Sequence, residues 1–248
     1  MPLSVAIITR DAASQLERCL ASVAFAEEVV VVDSGSTDGT VELAARHGAR
    51  VVRKEWLGFG AQKQFAVDAA SHEWVLCVDA DESLSPELRE AIVEELKAPR
   101  GFVYAVARRN RFLGRWLRHG EGYPDWNVRL FHRRHARWGG ESVHEKIVPR
   151  SPVLRLRGDL LHDSAETLEK YLDKQNHYTS LQAESLRAAG RRANTCQLVL
   201  SPLLRFIKFY LWRLGFLDGV PGLVHITIGC MNSFNKYAKL KALERASE

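Results

Sequence analysis

The chain has 248 residues, of which 46% are hydrophobic and 26% are charged, and its formal net charge is +5. This composition excludes a disordered chain, because it supplies enough apolar side chains for a core, and the length allows one large domain or one domain with an appendage. The positive charge favours acidic partners such as nucleotides, nucleic acid or an anionic membrane surface.

The four cysteines have neither the spacing of a metal site nor that of a disulfide framework. Cys19 and Cys77 fall within apolar patterns that indicate core packing. This cysteine usage fits a reducing cytosolic compartment. The first residues run directly into an apolar, β-branched segment without a preceding basic region, and they predict no secretory signal.

Strands alternate with helices along the first hundred residues. Short apolar runs predict strands at 3–9, 28–32, 50–53 and 74–78. Helices are predicted at 16–23, 41–47, 62–70 and 86–96, and the last of them has Ser85 as its N-cap with Pro86 at its first position. This alternation predicts a parallel α/β sheet with right-handed crossovers.

The pattern changes near residue 102. Residues 102–107 predict one more strand, and the stretch that follows, up to Arg157, is expected to be irregular, aromatic and basic. Between residues 100 and 157 there are fourteen Lys or Arg and only four acids. This stretch is therefore the main positive region of the chain.

The C-terminal part is predicted to be helical. Residues 164–190 predict a polar helix, and residues 198–217 are apolar except for Arg205, Lys208 and Arg213, which share one broad helical face. No run of about twenty uncharged apolar residues occurs, so we expect an interfacial amphipathic helix and not a spanning one. The alternative is a helix that packs on the core with its basic face in water.

Polar residues follow the predicted parallel strands at the edge where open α/β sheets bind ligands. Thr9 and Asp11 follow the first strand, Asp33 ends the second, and Asp79 and Asp81 follow a later one. Paired carboxylates suit Mg²⁺ or Mn²⁺, which share their coordination shell with substrate phosphates. Together with the basic region, these acids predict a nucleoside-diphosphate site. A Walker loop and a G-x-G-x-x-G motif are both absent.

Several segments also resemble a known family. Three of them resemble, in order, the motifs of family 2 glycosyltransferases of GT-A fold: 5–11, 30–40 and 78–82. Four further segments resemble the subgroup that builds the lipopolysaccharide core, typified by heptose glucosyltransferases: 58–64, 123–131, 143–145 and 215–219.

The resemblance implies an α/β fold of GT-A type, which is a Rossmann-like, mostly parallel sheet flanked by helices with a C-terminal helical, membrane-associating appendage. Residues 1–160 would form the nucleotide-sugar-binding and catalytic domain. Residues 161–248 would form the helical, membrane-interfacial region.

The resemblance also implies an inverting hexosyltransferase that uses a nucleotide-sugar and a divalent metal, Mg²⁺ or Mn²⁺. Thr9, Asp11 and Asp33 would line the nucleoside pocket. Lys63 would neutralise the nucleotide, the alternative being a solvated helix lysine. Arg129 and Arg133 would bind the diphosphate of the donor or a phosphate of the acceptor, the alternative being a solvated basic face.

The metal would be bound mainly by Asp81. Asp79 would contact the ribose or the metal shell, and His144 would complete that shell or hydrogen-bond the diphosphate, the alternative being a structural histidine. The metal would stabilise the departing diphosphate. His162 follows two leucines and is expected to be a buried core histidine.

Inversion needs a general base that deprotonates the acceptor hydroxyl. Asp125 is the predicted base, because it lies in the segment where the family places its base. Glu145 is the rival, followed by Glu141, and each of these acids has an alternative role as the partner of an arginine.

The subgroup implies the partners of the reaction. UDP-glucose would be the donor and an anionic glycolipid, a lipid-linked heptose of the core, would be the acceptor, with no nucleic acid involved. The enzyme would be cytoplasmic and peripheral on the inner face of the cytoplasmic membrane.

Two alternatives belong to other classes. The basic, aromatic middle region suits a nucleic-acid-binding module, but that hypothesis leaves Asp33, Asp79 and Asp81 unexplained. A metal-dependent nucleotidyltransferase would also use paired acids, but it usually carries a glycine-rich basic loop after the first strand, and residues 8–13 are not such a loop.

Overall fold

The computed structural model describes residues 1–139, 146–164 and 167–245. By its internal contacts the chain divides into two compact units. The first unit contains Met1–Arg108 and Asp125–Asp163, and the second contains Arg109–Pro124 and Ser164–Glu248. The second unit thus takes in residues 109–124 in addition to the C-terminal helices.

The strands of the described residues are, in chain order, β1 (Leu3–Thr9), β2 (Glu28–Asp33), β3 (Arg50–Arg53), β4 (Trp74–Asp79), β5 (Glu82–Leu84), β6 (Val103–Phe112), β7 (Arg115–Trp116), β8 (Asp125–His132), β9 (Ala136–Gly139), β10 (Lys146–Pro149) and β11 (Val153–His162). The helices are α1 (Ala13–Val23), α2 (Thr40–Arg46), α3 (Phe59–Ala69), α4 (Pro86–Lys97), α5 (Leu168–Ala188), α6 (Thr195–Phe206) and α7 (Gly219–Arg245). A π-helical turn, Ile207–Trp212, and a 3₁₀ turn, Gly215–Asp218, lie between α6 and α7.

The main sheet has the strand order β3-β2-β1-β4-β8-β6-β11-β5. The first four of these strands are parallel to one another, as the sequence predicts. Their carboxyl ends therefore lie at one edge. The pairs β4–β8, β8–β6 and β11–β5 are antiparallel. The α/β fold with helices flanking the sheet is thus confirmed, with the parallel strands forming one half of it.

Two hydrophobic clusters cover the two faces of the parallel half. Ile7 of β1 packs in a cluster with Leu16 of α1 and Leu88 of α4, whereas its neighbour Ala6 belongs to a cluster with Val67 of α3. Alternate side chains of one strand thus enter different cores. Because both faces are buried, these strands have continuous apolar sequences, which made them predictable.

The strand predicted at 102–107 is present as part of β6, but the expectation of an irregular segment from there to Arg157 is wrong. Most of this segment forms strands β6 to β11. In β11, for example, Leu156 is buried and its neighbours Arg155 and Arg157 are exposed. Apolar and basic side chains alternate because one face of such a strand is covered and the other meets solvent. The basic composition concealed this alternation.

The second unit consists of α5, α6, α7, the end of β6 and β7. The helix predicted at 198–217 is interrupted, because α6 passes into the π-helical turn and the chain then bends near Leu214, whose φ is 56°. The long helix α7 follows, within the C-terminal region that was predicted to be helical, although the sequence analysis gave no bounds for it.

The predicted basic face of that helix does not lie wholly in water. Arg205 pairs with Glu121, and Arg213 donates to the carbonyl oxygen of Tyr123 at 2.9 Å. Of the three basic side chains, Lys208 is exposed. Two of them therefore stabilise the second unit internally.

Among the described residues, no single helix has the length and apolar character needed to cross a bilayer. One bent pair of segments, Thr195–Trp212 and Gly215–Arg245, meets those criteria jointly, with an angle of 73° between its members.

Candidate active site

The loops that follow β1 and β2 are joined by their own side chains. Thr9 Oγ1 donates to Asp33 Oδ1 at 3.3 Å. The Asp11 carboxylate accepts from Thr37 N at 2.8 Å and from Thr37 Oγ1 at 3.3 Å, and Asp11 N donates to Ser36 Oγ at 2.9 Å. The structure therefore brings together the three residues predicted to line the nucleoside pocket.

Asp33 organises the turn after β2. Its residue is 2% exposed, and its Oδ2 accepts from Gly35 N at 2.9 Å and from Ser36 N at 3.0 Å, while the Ser36 hydroxyl donates to Oδ1. Burial opposes the charged form, but these hydrogen bonds outweigh it and hold the pKa of Asp33 below its usual value. The carboxylate is thus ionised and fixed at neutral pH.

Asp79, at the end of β4, lies between two cations. Lys63 Nζ is 2.5 Å from Asp79 Oδ1, and Arg129 Nη2 is 3.3 Å from Asp79 Oδ2. Burial would raise the pKa of Asp79, but the charges of Arg129 and Lys63 outweigh it and lower that pKa. The alternative of a solvated Lys63 is wrong, because its ammonium also lies 4.8 Å from the ring centroid of Trp138.

Hydrogen bonds connect the start of α3 to the loop after β2 and to β9. Gln62 Nε2 donates to Ser34 Oγ at 2.9 Å in the loop after β2. Gln64 Oε1 accepts from Trp138 N at 2.8 Å in β9. Lys63 stands between these two glutamines, so the hydrogen bonds on either side fix its direction towards Asp79.

A chain of alternating charges joins Asp79 to Asp125. Arg129 Nη2 donates to Glu82 Oε1 at 2.6 Å. Arg108 Nη1 lies 3.9 Å from Glu82 Oε1, and Arg108 Nη2 lies 2.8 Å from Asp125 Oδ2. Glu82 is 1% exposed, and burial raises its pKa against the opposing charge of Arg129. The predicted base therefore belongs to the same ionic network as the predicted donor-binding residues.

Arg129 is a buried member of this network. It is 4% exposed, so the alternative of a solvated basic face is wrong. Its Nε and Nη1 have no hydrogen-bond partner among the described residues. Its observed contacts hold Asp79 and Glu82, and its contact with a diphosphate stays a prediction.

His162 is the site residue that the sequence analysis missed. It ends β11, and its Nε2 lies 3.1 Å from Asp81 Oδ2. The two side chains are 23% and 27% exposed, so the expectation of a buried core histidine is wrong. Leu160 is buried, but β11 reaches the edge of the sheet two residues later. The sequence analysis had no signal for this position, because it did not recognise the strand that His162 ends.

The Asp81–His162 pair fits a divalent cation. A carboxylate oxygen and an imidazole nitrogen are both ligands of Mn²⁺, and two protein ligands leave coordination positions for phosphate oxygens. Within the described ranges, no group of three or more His, Cys, Asp or Glu side chains is placed to hold a metal ion. Asp81 as a principal metal ligand stays a prediction, and His162 joins it as a candidate.

Three predicted residues lie outside the described residues. They are His144, the predicted additional metal ligand, Glu145, the rival base, and Glu141. Their roles stay predictions.

Comparison with known proteins finds similarity to glycosyltransferases. Residues 4–155 match the profile of Glycosyl transferase family 2. The lipopolysaccharide core biosynthesis glycosyltransferase LpsC of Rhizobium meliloti is 34% identical over 257 residues, which cover 98% of this chain and 95% of that protein. An uncharacterized glycosyltransferase of Rickettsia prowazekii is 30% identical over 267 residues, which cover 99% of this chain and 89% of that protein.

The fold has a counterpart among solved structures. S. aureus TarS 1-349 in complex with UDP-GlcNAc superposes with a TM-score of 0.50 at 16% identity, over 100% of this chain and 93% of that chain. At this identity the likeness concerns the fold alone.

Proposed function

Because the chain belongs to glycosyltransferase family 2, we propose that it is an inverting hexosyltransferase that transfers glucose from UDP-glucose to a lipid-linked heptose of the lipopolysaccharide inner core. The observation that carries this proposal is the strand-end edge of the first unit. There the Asp81–His162 pair, at 3.1 Å, follows Asp79, which is itself paired with Lys63 at 2.5 Å.

The donor would be held by charge and by hydrogen bonds. Thr9, Asp11 and Asp33 would contact the nucleoside, and Lys63 would neutralise part of the diphosphate charge. Asp81 and His162 would hold Mg²⁺ or Mn²⁺, with Asp79 next to the ribose or the metal shell. The bound cation would supply charge stabilisation for the departing diphosphate.

The transfer needs one proton acceptor. The acceptor hydroxyl oxygen forms a bond to the anomeric carbon while the bond from that carbon to the diphosphate oxygen breaks, and Asp125 takes the hydroxyl proton. Arg108 supports this role, because its two nitrogens lie 2.9 and 2.8 Å from Asp125 Oδ2 and orient the carboxylate. Glu145 stays the rival base.

The acceptor class is supported by the similarity to LpsC, whose name specifies lipopolysaccharide core biosynthesis. The second unit supports a membrane-bound acceptor. It exposes large apolar side chains over α6 and the turns that follow, including Leu204 at 60% and Trp212 at 84%. We propose that residues 161–248 associate with the inner face of the cytoplasmic membrane and that residues 1–160 carry out catalysis.

The experiment is thermal unfolding with ligands. UDP together with Mn²⁺ is expected to raise the melting temperature more than the sum of either alone, because each completes the binding site of the other. At a ligand concentration about 100 times Kd, the stabilisation is about 2.7 kcal/mol. Asp81→Ala and His162→Ala are expected to abolish the cooperative part of this shift.

Asp68→Asn is the matched control, because the Asp68 carboxylate is exposed and accepts from the nearby Gln64 Nε2 at 2.8 Å, while the long-range contact of this residue, from Arg133, is to its backbone carbonyl oxygen. Its shift should equal that of the parent protein. Absence of a shift with any nucleoside diphosphate plus metal would contradict the proposed transferase. Assay of a panel of nucleotide-sugars then identifies the donor.

A further inference from the structure

The second unit has a shallow depression of about 660 Å³ on its surface. It is lined by a hairpin and by the start of α7: Leu113, Gly114, Arg115, Trp116, Arg118 and Pro221. The hairpin turn contains Leu113 at φ 46° and Gly114 at φ 80°, between the paired residues Phe112 and Arg115. Two arginines and an indole therefore face one open site.

Arg115 is held in place at the wall of this depression. Its Nη2 donates to the carbonyl oxygen of Leu217 at 2.9 Å, and its Nε lies 3.8 Å from Asp218 Oδ1. The side chain remains 52% exposed. One edge of the guanidinium is thus fixed by the protein while the other meets solvent.

Asp218 fixes the neighbouring backbone. It is buried, and its Oδ2 accepts from Arg118 N at 2.9 Å and from His119 N at 2.8 Å. Its Oδ1 also contacts His119 Nδ1 at 3.3 Å. Both oxygens of Asp218 therefore have partners within the protein, and its side chain is only 2% exposed.

Two glycines allow close packing of the backbone around Asp218. A Cβ atom on Gly215 would lie 2.6 Å from the carbonyl oxygen of Phe209, and one on Gly222 would lie 2.5 Å from the carbonyl oxygen of Gly215. Both contacts are to backbone atoms, which cannot move aside cheaply. The segment 215–219, which the sequence analysis singled out, thus builds a rigid support beneath Arg115 and Arg118.

Arg118 completes the site. Its side chain is exposed and forms no hydrogen bond or ion pair with any residue that the structure describes. Three exposed apolar side chains belong to the segments that form this site: Leu113 at 49% in the hairpin, Leu217 at 47%, whose carbonyl oxygen accepts from Arg115, and Val220 at 69%, next to the lining residue Pro221. Planar guanidinium groups match phosphate oxygens in two-point contacts, and apolar side chains suit the acyl boundary of a bilayer.

We propose that this depression binds the phosphate group of an anionic lipid headgroup. The exposed apolar side chains around it favour a lipid over a soluble phosphate compound, because a soluble ligand would leave them in water. That the bound lipid is the acceptor rests on the proposed function, whereas phosphate binding itself does not.

The test is co-sedimentation with phosphatidylcholine vesicles that contain phosphatidic acid. Arg118→Ala is expected to weaken binding about fivefold, as expected for one basic side chain at a membrane surface. Arg118→Lys should bind at an intermediate level, since it retains the charge and loses the planar fork. Arg192→Ala, which removes an exposed charge from the same unit, should bind like the parent protein.

Three outcomes would overturn the proposal. One is an equal loss in the Arg118 and Arg192 variants, and another is equal binding to vesicles in which oleate supplies the same surface charge. The third is calorimetric binding of inorganic phosphate that depends on Arg118 while vesicle binding does not. The shift with UDP and Mn²⁺ is measured on the same variants and should not change, and its absence in the parent protein would contradict the proposed function alone.

Discussion

The acids of the candidate active site differ in the cations that accompany them. Asp79 is paired with Lys63 and Arg129, and Asp125 is paired with Arg108. Asp81 instead contacts the imidazole of His162. Paired acids can lie near a diphosphate without strong repulsion, whereas Asp81 has coordination capacity for an added cation. The identity of the partner thus distinguishes Asp81, the predicted metal ligand, from the neighbouring acids.

The assignment of the base makes a prediction about Asp125. Asp125→Asn should lower the rate of transfer by about 100-fold or more, because an amide cannot take the acceptor proton. Binding of UDP should be unchanged, since the variant leaves Asp33 and Asp81 intact. Transfer is measured with the identified donor, and UDP binding by calorimetry. An active Asp125→Asn together with an inactive Glu145→Gln would assign the base to Glu145.

A second prediction concerns the contribution of Arg129 to stability. Replacing it by Met leaves Glu82 and Asp79 buried without their shared cation, and breaking a buried pair costs about 3 kcal/mol of unfolding free energy. Because the pKa of Glu82 is already raised, this acid takes up a proton as the pH falls and no longer carries a buried charge. The loss of unfolding free energy in the variant should therefore be larger near pH 7 than near pH 5.

Urea unfolding of the Arg129→Met variant at both pH values measures this effect. The double variant with Glu82→Gln should recover part of the loss near pH 7, because it removes one of the two unpaired acids. A deficit that is independent of pH and unaffected by Glu82→Gln would show that packing, not charge, determines the role of Arg129.

At the scale of elements, close approach of β11 to α4 holds one edge of the sheet. Gly158 of β11 has φ of 86°, and a Cβ atom there would lie 2.2 Å from Leu88 N. Next to it, the Ser85 hydroxyl accepts from Asp159 N at 3.1 Å and from Leu88 N at 3.2 Å. The cap of α4 is therefore also a contact of β11, the strand that ends at His162.

This contact predicts that Gly158→Ala destabilises the protein more than the φ angle alone explains. An L residue at positive φ costs about 1 kcal/mol, and the clash with the backbone of Leu88 adds to that cost. Gly48→Ala is the matched control, because Gly48 has φ of 76° and open space around its Cβ position. Thermal unfolding compares the two, and equal losses would contradict the packing argument.

The elements also explain what sequence could and could not predict. The strand ends at Thr9, Asp33 and Asp79 were predictable, because parallel strands buried on both faces have continuous apolar sequences. Strand β11 was not, since arginines alternate with its leucines and look like a basic loop. Because β11 was not predicted, the role of His162 was not predicted either. Its proximity to Asp81 depends on the pairing of β11 with β5, between residues far apart in sequence.

At the scale of the whole molecule, the formal charge of +5 and the exposed apolar side chains of the second unit favour the same partner. A basic chain is attracted to an anionic bilayer over about 10 Å at moderate salt. Leu211 is 54% exposed and Trp212 is 84% exposed, so insertion of their side chains would remove apolar area from water. Electrostatic attraction and apolar insertion respond differently to salt, which allows them to be measured separately.

We therefore predict that the full chain binds vesicles that contain phosphatidylglycerol, and that salt weakens the binding without abolishing it. Trp212→Ser should remove most of the salt-resistant part, because burial of an aromatic side chain contributes about 1.5–3 kcal/mol, roughly tenfold or more in affinity. Phe102→Ser, at an apolar side chain of the first unit that is 46% exposed, should leave it unchanged. Flotation at low and high salt measures both parts. Binding that disappears completely at high salt in the parent protein would mean that charge alone attaches the chain to the bilayer.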